Sequence, residues 1–231
     1  MRKIITACAL CLVASPLFAA LSKEEAKRLN DSAMVLTDLR NAPDKGIPED
    51  LWAKAQCVAV IPSMKKAAFI VGGEYGSGAM SCRRSGGEWS APVFMQLAKG
   101  SWGLQIGAQE VDLVLLVMNR SGVDKLLQDK VSLGADASVA AGPVGRSADA
   151  ATDAQMKTEM LAYSRAQGVF AGIDLSGGVL RPDKDAMTHA YGKDVAVRDV
   201  VTGTHRVEAP AAAAAFLRAL QRDVRATTGP R

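Results

Sequence analysis

The sequence predicts an α+β fold, a single domain built on a curled antiparallel sheet of short hairpins with helices packed against it. Short apolar runs separated by Gly, Pro and charged pairs fill the middle of the chain, which is the pattern of hairpins. Helical periodicity is confined to segments near the two ends and to short pieces between the strands. No internal stretch of linker composition divides the chain, and its length is ample for one core.

The first residues, MRKIITACALCLVASPLFAA, open on Arg2 and Lys3, continue through an apolar run from Ile4 to Ala14, and end in Ser15-Pro16 and small residues. They read as a secretory signal peptide over 1–19, cut after Ala19, with an apolar run too short to span a bilayer. Ile5-Thr6-Ala7-Cys8 has the outline of a lipoprotein box but lies ahead of most of that run, so lipid attachment at Cys8 is not expected. The main domain is then 20–208, followed by a basic amphipathic helix at 209–231, in a protein exported to the periplasm.

Ser22 and Glu25 form a capping box, and Ala26, Leu29, Ala33 and Leu36 follow at helical spacing until Asn41-Ala42-Pro43. A short helix is expected around Glu49 to Ala55. Cys57 to Ile61 is apolar on both faces and predicts a central strand. Pro62 to Lys66 reads as a turn, and Ala67 to Val71 as the return. A glycine-rich link, Gly72 to Gly78, leads to Ala79–Cys82; Arg83 to Glu88 is a second turn before the strand Val93 to Leu97. Trp102 to Gly107 alternates as a strand, and Val111 to Met118 is a core strand. Ser121 caps a short helix with Val123, Leu126 and Leu127 inward.

From Val131 to Ala140 the chain alternates again, with Leu133, Ala135, Ala137 and Val139 opposed to Gly134, Asp136, Ser138 and Ala140. Gly142-Pro143-Val144-Gly145 then turns and delivers Arg146. Thr152 and Gln155 open a helix with Met156, Met160 and Tyr163 as its stripe and Gly168 as its stop. Val169 to Leu175, Val179-Leu180 and Val195 to Val201 read as strands. From about Ala211 a final helix carries Phe216, Leu217, Leu220 and Val224 on one side and Arg218, Arg222 and Arg225 on another. Docking on its own domain is its expected role, with the arginines assisting lipid contact from the edge.

Loss of the leader removes Arg2 and Lys3 and halves the formal charge of +4, too mild a balance for nucleic acid. Cys57 and Cys82 remain, and an even pair in an oxidising compartment reads as a disulfide worth about 3 kcal/mol. Two buried free thiols are the alternative. The glycine-rich link fits neither a Walker loop nor a dinucleotide fingerprint. His189 and His205 stand alone, so no metal site, cofactor or catalytic triad is expected.

Two sets of polar residues remain. Lys65-Lys66 and Arg83-Arg84 read as hairpin tips, either plain solvated turns or two basic tips gripping lipid phosphates. Gln105, Asp136, Ser138 and Arg146 form the second set, with Gln105 and Asp136 sharing a face if their strands pair. Either Arg146 pairs with a carboxylate and ties down the turn, or the set lines a ligand site.

The stretches AFIVGGEYGSGAMSCRR, WSAPVFMQLAKGSWGLQIGAQEVDLVLLVMN and LGADASVAAGPVGRSADAATDAQMKTEMLAYSRAQGVFAGIDLSGGVL resemble a SYLF domain, the lipid-binding domain also described in a yeast actin-binding protein. The resemblance runs from about Asn30 to His205. It implies binding of membrane lipid, phosphoinositides in eukaryotic members and anionic phospholipids in bacterial ones. The amphipathic helix that eukaryotic members use for membrane contact corresponds to Ser22–Arg40, which here carries as many acidic as basic residues. An exported chain resembles the bacterial branch, so actin is not expected as a partner, and no catalytic residues carry over. The expectation is a non-catalytic, periplasmic phospholipid-binding protein with protein partners undefined. The alternatives are an envelope enzyme using the polar face around Asp136, or a structural or assembly protein of the envelope.

Overall fold

The apolar run at Cys57 has no polar face to give to water, so it must be paired along both edges and covered on both faces. The computed structural model describes residues 21–42, 46–68, 71–102, 107–144, 157–166, 169–204 and 207–221, and within them it places this run at the centre. β1 (Cys57–Ala68) pairs antiparallel with β2 (Val71–Cys82) on one edge and with β4 (Gly107–Val117) on the other. Beyond β2 come β3 (Val93–Trp102), β9 (Gly178–Pro182) and β5 (Val131–Ser132); beyond β4 come β7 (Met160–Ala166) and β6 (Val139–Ala141), with β8 (Val169–Gly172) also on β7. The result is one curled sheet of nine strands. Its pairings are antiparallel except that β6 runs parallel to β7.

Among the described residues six α-helices flank the sheet: α1 (Lys23–Asn41), α2 (Glu49–Lys54), α3 (Arg120–Leu126), α4 (Lys184–Tyr191), α5 (Val197–Thr202) and α6 (Ala214–Gln221). The capping box of α1 forms as read, Glu25 N–H on Ser22 Oγ at 3.2 Å and Ser22 N–H on Glu25 Oε2 at 2.7 Å. α1 packs on β1 and β2 with Leu29, Val35, Leu36 and Leu39 buried, and α6 packs on α1. Phe216 and Leu220 of α6 are fully buried, and Trp89 Nε1–H reaches the Leu220 carbonyl at 3.2 Å. No helix among the described residues is long and apolar enough to cross a membrane.

Five segments differ from the sequence expectation, the first being Gly72 to Gly78, which is part of β2 and not a link. Pro62 to Lys66 is not a turn: β1 continues through it, and its registers against β2 and β4 both shift there. The irregularity is a bulge, with Ser63 at φ 47° and its N–H on Asp112 Oδ1 at 2.9 Å, and it absorbs a proline that has no ladder donor. Met160–Ala166 is a strand rather than a helix, because it is held between β4, β6 and β8 with Met160 to Tyr163 all buried. A short apolar run supports either reading in isolation. Val197–Thr202 is a helix despite its β-branched residues, closed by Gly203 at φ 72° and capped where Ala196 N–H meets Asp199 Oδ2 at 3.3 Å. Finally, Val131 to Ala140 is two short strands joined by a turn, with Gly134 at φ 87° and its N–H on the Ala137 carbonyl at 2.7 Å.

Cys57 and Cys82 are direct cross-strand partners with Cα atoms 3.9 Å apart, and they form a disulfide. It closes a loop of 25 residues in sequence. Replacing both cysteines with Ser lowers unfolding free energy by about 3 kcal/mol, read from urea titration. Gly142 is set by a different constraint. A Cβ there would lie 2.0 Å from Cζ of Tyr163, whose ring is fully buried and has no room to retreat. Gly142→Ala therefore costs about 2 kcal/mol in the same titration, the scale of overpacking a rigid core.

Candidate functional site

The stretch after β5 separates the polar residues that the sequence groups together. Asp136 is exposed in the turn, where its carboxylate accepts the Ser132 N–H at 2.7 Å and is held below the usual carboxylate range by that bond. Its job is to close the turn. β5 pairs with β9, and Asp136 lies in the turn that follows it rather than in a strand. Gln105 and Arg146 lie outside the described residues.

Ser138 belongs to another cluster, centred on Glu159, which the sequence reading missed. Ser138 donates its backbone N–H to Glu159 Oε2 at 2.7 Å and accepts the Glu159 N–H on Oγ at 3.0 Å. From α3, Lys125 Nζ lies 2.7 Å from Oε1, and the Ser121 hydroxyl donates to the same oxygen. Burial opposes the charge, but the bonds from Lys125, Ser121 and Ser138 outweigh it and pull the carboxyl from 4.5 down to about 2. The one signal in sequence was Ser121 and Lys125 four apart on a short helix. Their common partner arrives only through the β4–β7 pairing.

The other buried carboxylates are committed in the same way. Asp183 caps α4 and accepts Arg28 Nη1–H at 2.8 Å; Glu25 meets His189 Nδ1 at 2.7 Å. Arg165 bridges Asp112 of β4 and Asp38 of α1. These contacts tie the fold together and engage the buried carboxylates Glu25, Glu159 and Asp183.

The basic pairs are equally informative. Lys65 and Lys66 sit within β1 rather than at a tip, and Lys66 pairs with Glu74 at 3.3 Å. Arg83 and Arg84 do open a turn, with Arg84 N–H on the Glu88 carbonyl at 2.8 Å. Both guanidinium groups point inward. Arg83 stacks 4.4 Å from the Trp89 ring and donates to the Ala55 carbonyl at 3.2 Å, while Arg84 donates to the Val200 carbonyl at the end of α5 at 3.0 Å. Two basic tips on one rim are therefore not present. Arg222 and Arg225 lie outside the described residues.

Lys65 and Arg218 are exposed and have no ion-pair partner among the described residues. Each stands beside an exposed apolar residue. Lys65 is the cross-strand partner of Tyr75, which is 48% exposed, on one edge of β1 and of Glu110 on the other. Arg218 and Met34, the latter 63% exposed, line a groove of about 370 Å³ between α6 and α1, together with Asp38. Sequence reasoning missed Tyr75 by treating Gly72 to Gly78 as a link. It missed Met34 because that residue lies off the apolar stripe of α1.

Residues 98–223 match the family described as "Ysc84: Las17-binding protein actin regulator". The match covers more than half of the chain. The chain belongs to the Ysc84 family. Its relatives include SH3 domain-containing YSC84-like protein 1 of Rattus norvegicus, 34% identical over 184 residues, covering 78% of this chain and 54% of the relative. The Xenopus laevis protein of the same name is 35% identical over 174 residues, covering 75% and 51%. Protein YSC84 of Saccharomyces cerevisiae is 33% identical over 181 residues, covering 77% and 38%. The chain thus spans about half, or less, of these relatives, and the SYLF domain is what it shares with them. The family's description names an actin regulator, so the expectation that actin is excluded has no support here.

The Glu159 cluster makes a pH-dependent contribution. A carboxyl depressed from 4.5 to about 2 stabilises the fold above pH 4.5, and that contribution disappears as pH falls towards 2. Glu159→Gln removes about 3 kcal/mol at neutral pH and flattens the acid limb of the urea midpoint between these values.

Proposed function

We propose that this Ysc84-family chain is a non-catalytic protein of the periplasm that binds anionic phospholipid surfaces. The observation that carries the reading is the pairing of unpartnered cations with exposed apolar side chains, Lys65 with Tyr75 and Arg218 with Met34. Such a pair suits a bilayer interface, where the apolar atoms enter the headgroup region and the cation meets a phosphate. Each cation contributes on the order of 1 kcal/mol at an anionic surface. The commitment of Glu25, Glu159 and Asp183 to structural partners, and of Asp136 to the turn it closes, supports the non-catalytic reading. The leader-like residues 1–19 and the Cys57–Cys82 disulfide support an exported, oxidising location.

Sedimentation with vesicles of phosphatidylglycerol and of phosphatidylcholine tests the proposal. The protein pellets with the first and little with the second, and added salt weakens the association. Lys65→Glu combined with Arg218→Glu reduces binding roughly tenfold while leaving the melting temperature unchanged. Failure to pellet with either vesicle overturns the reading. Co-pelleting with actin filaments alone would replace it with the partner named in the family's description.

A further inference from the structure

A second concavity, of about 460 Å³, opens between the end of α3, the start and end of α4, and the start of α5. Its volume is that of an ordinary small-molecule site. The floor is apolar, made by Leu127, Met187, Val195 and Val197. Around the rim stand Lys184, Lys193 and Arg198, contributed by the first residue of α4, the α4–α5 connection and the first turn of α5. All three are exposed, and none has an ion-pair partner among the described residues.

Two acids share the rim. Asp199 is occupied in capping α5 through the Ala196 N–H, whereas Asp129 is exposed and has no partner among the described residues. The fold gathers three cations from separate segments around an apolar floor, against Asp129 and the cap residue Asp199, so positive charge is in excess on this lining. Their mutual repulsion opposes this arrangement, and a bound anion relieves it.

We infer that this cleft is a binding site for one phosphate-bearing amphiphile: Lys184, Lys193 and Arg198 hold the phosphate, and Met187 and its neighbours take the first carbons of the apolar part. Asp129 faces a hydroxyl or ammonium on the headgroup and disfavours a ligand of high negative charge. The site is distinct from the Lys65 and Arg218 surfaces, and it takes a single lipid rather than a bilayer.

Dihexanoyl-phosphatidylglycerol, titrated below its micelle threshold and followed by calorimetry and amide chemical shifts, tests the assignment. Binding saturates at one molecule per chain, with shifts at Lys184, Lys193 and Arg198. Lys193→Glu with Arg198→Glu weakens it roughly tenfold without loss of the circular-dichroism melt, and Lys193→Ala alone weakens it less. Lys65→Glu with Arg218→Glu leaves it unchanged. Inorganic phosphate and octyl glucoside, titrated separately, each bind much more weakly. No saturable binding, or shifts confined to other elements, overturns the inference. Phosphate alone binding as tightly as the lipid does so too, since the apolar floor would then contribute nothing. No bilayer is present, so the outcome is independent of the vesicle experiment.

Discussion

The constraint on which the rest depends is that β1 is used on every side. Both of its edges are paired, its first half is apolar on both faces, and its first residue is bonded covalently to the last residue of β2. A strand that buries both faces forces a layer onto each side of the sheet. α1 supplies one of those layers, and the order of the remaining strands follows from which edge of the β2–β1–β4 centre they reach. The bulge at Pro62-Ser63 belongs to the same logic. It lets one long strand pass a proline without breaking either neighbouring ladder, and Asp112 takes up the N–H that the bulge turns outward.

α1 is fastened by charge as well as by packing. Glu25 reaches His189, Arg28 reaches Asp183 and lies 5.7 Å from the Phe94 ring, and Asp38 reaches Arg165. These contacts join a helix near the start of the chain to α4 and β7. The pair at its first turn is pH-sensitive in a defined direction. The hydrogen bond to the Glu25 carboxylate raises the His189 pKa above 6.5, so its stabilising effect is fully present below 6.5 and is lost as pH rises through the folded value. Three charged residues of α1 are spent on such anchors, while Lys27 and Asp31 pair with each other along the helix.

The charges of this fold divide into carboxylates held by fixed partners and cations exposed at the surface. Perturbed carboxylates mark active sites when they face a cleft, and structure when they are saturated by fixed partners. Glu159 is held down at about 2, and its two oxygens are occupied by Ser121 and Lys125 of α3 and by Ser138 just before β6. The unsatisfied charges lie at the surface, beside apolar side chains or over an apolar floor. That arrangement suits amphiphilic ligands, and it is carried on the SYLF portion that the chain shares with longer, SH3-containing relatives.

The sequence by itself determined the α+β class, the capping box of α1, the central position of Cys57–Ile61 and the family, and it offered the Cys57–Cys82 pairing that the structure contains. Each of these rests on local chemistry or on a pattern that needs no knowledge of neighbours. A cap is closed within four residues, a run apolar on both faces must be central, and two cysteines in adjacent strands need only the right register. Only the tertiary structure decided the identity of Met160–Ala166, whose apolar run became a strand because β4 and β6 lay open to receive it. It also decided the fate of the charges. Arg83 and Arg84 look like free tips in sequence and are consumed by Trp89 and two carbonyls, while Ser138 leaves Asp136 for Glu159. Lys65, Tyr75 and the rim of the second cleft stayed illegible for the same reason: a side chain's partner, or its lack of one, is fixed by residues far away in the chain.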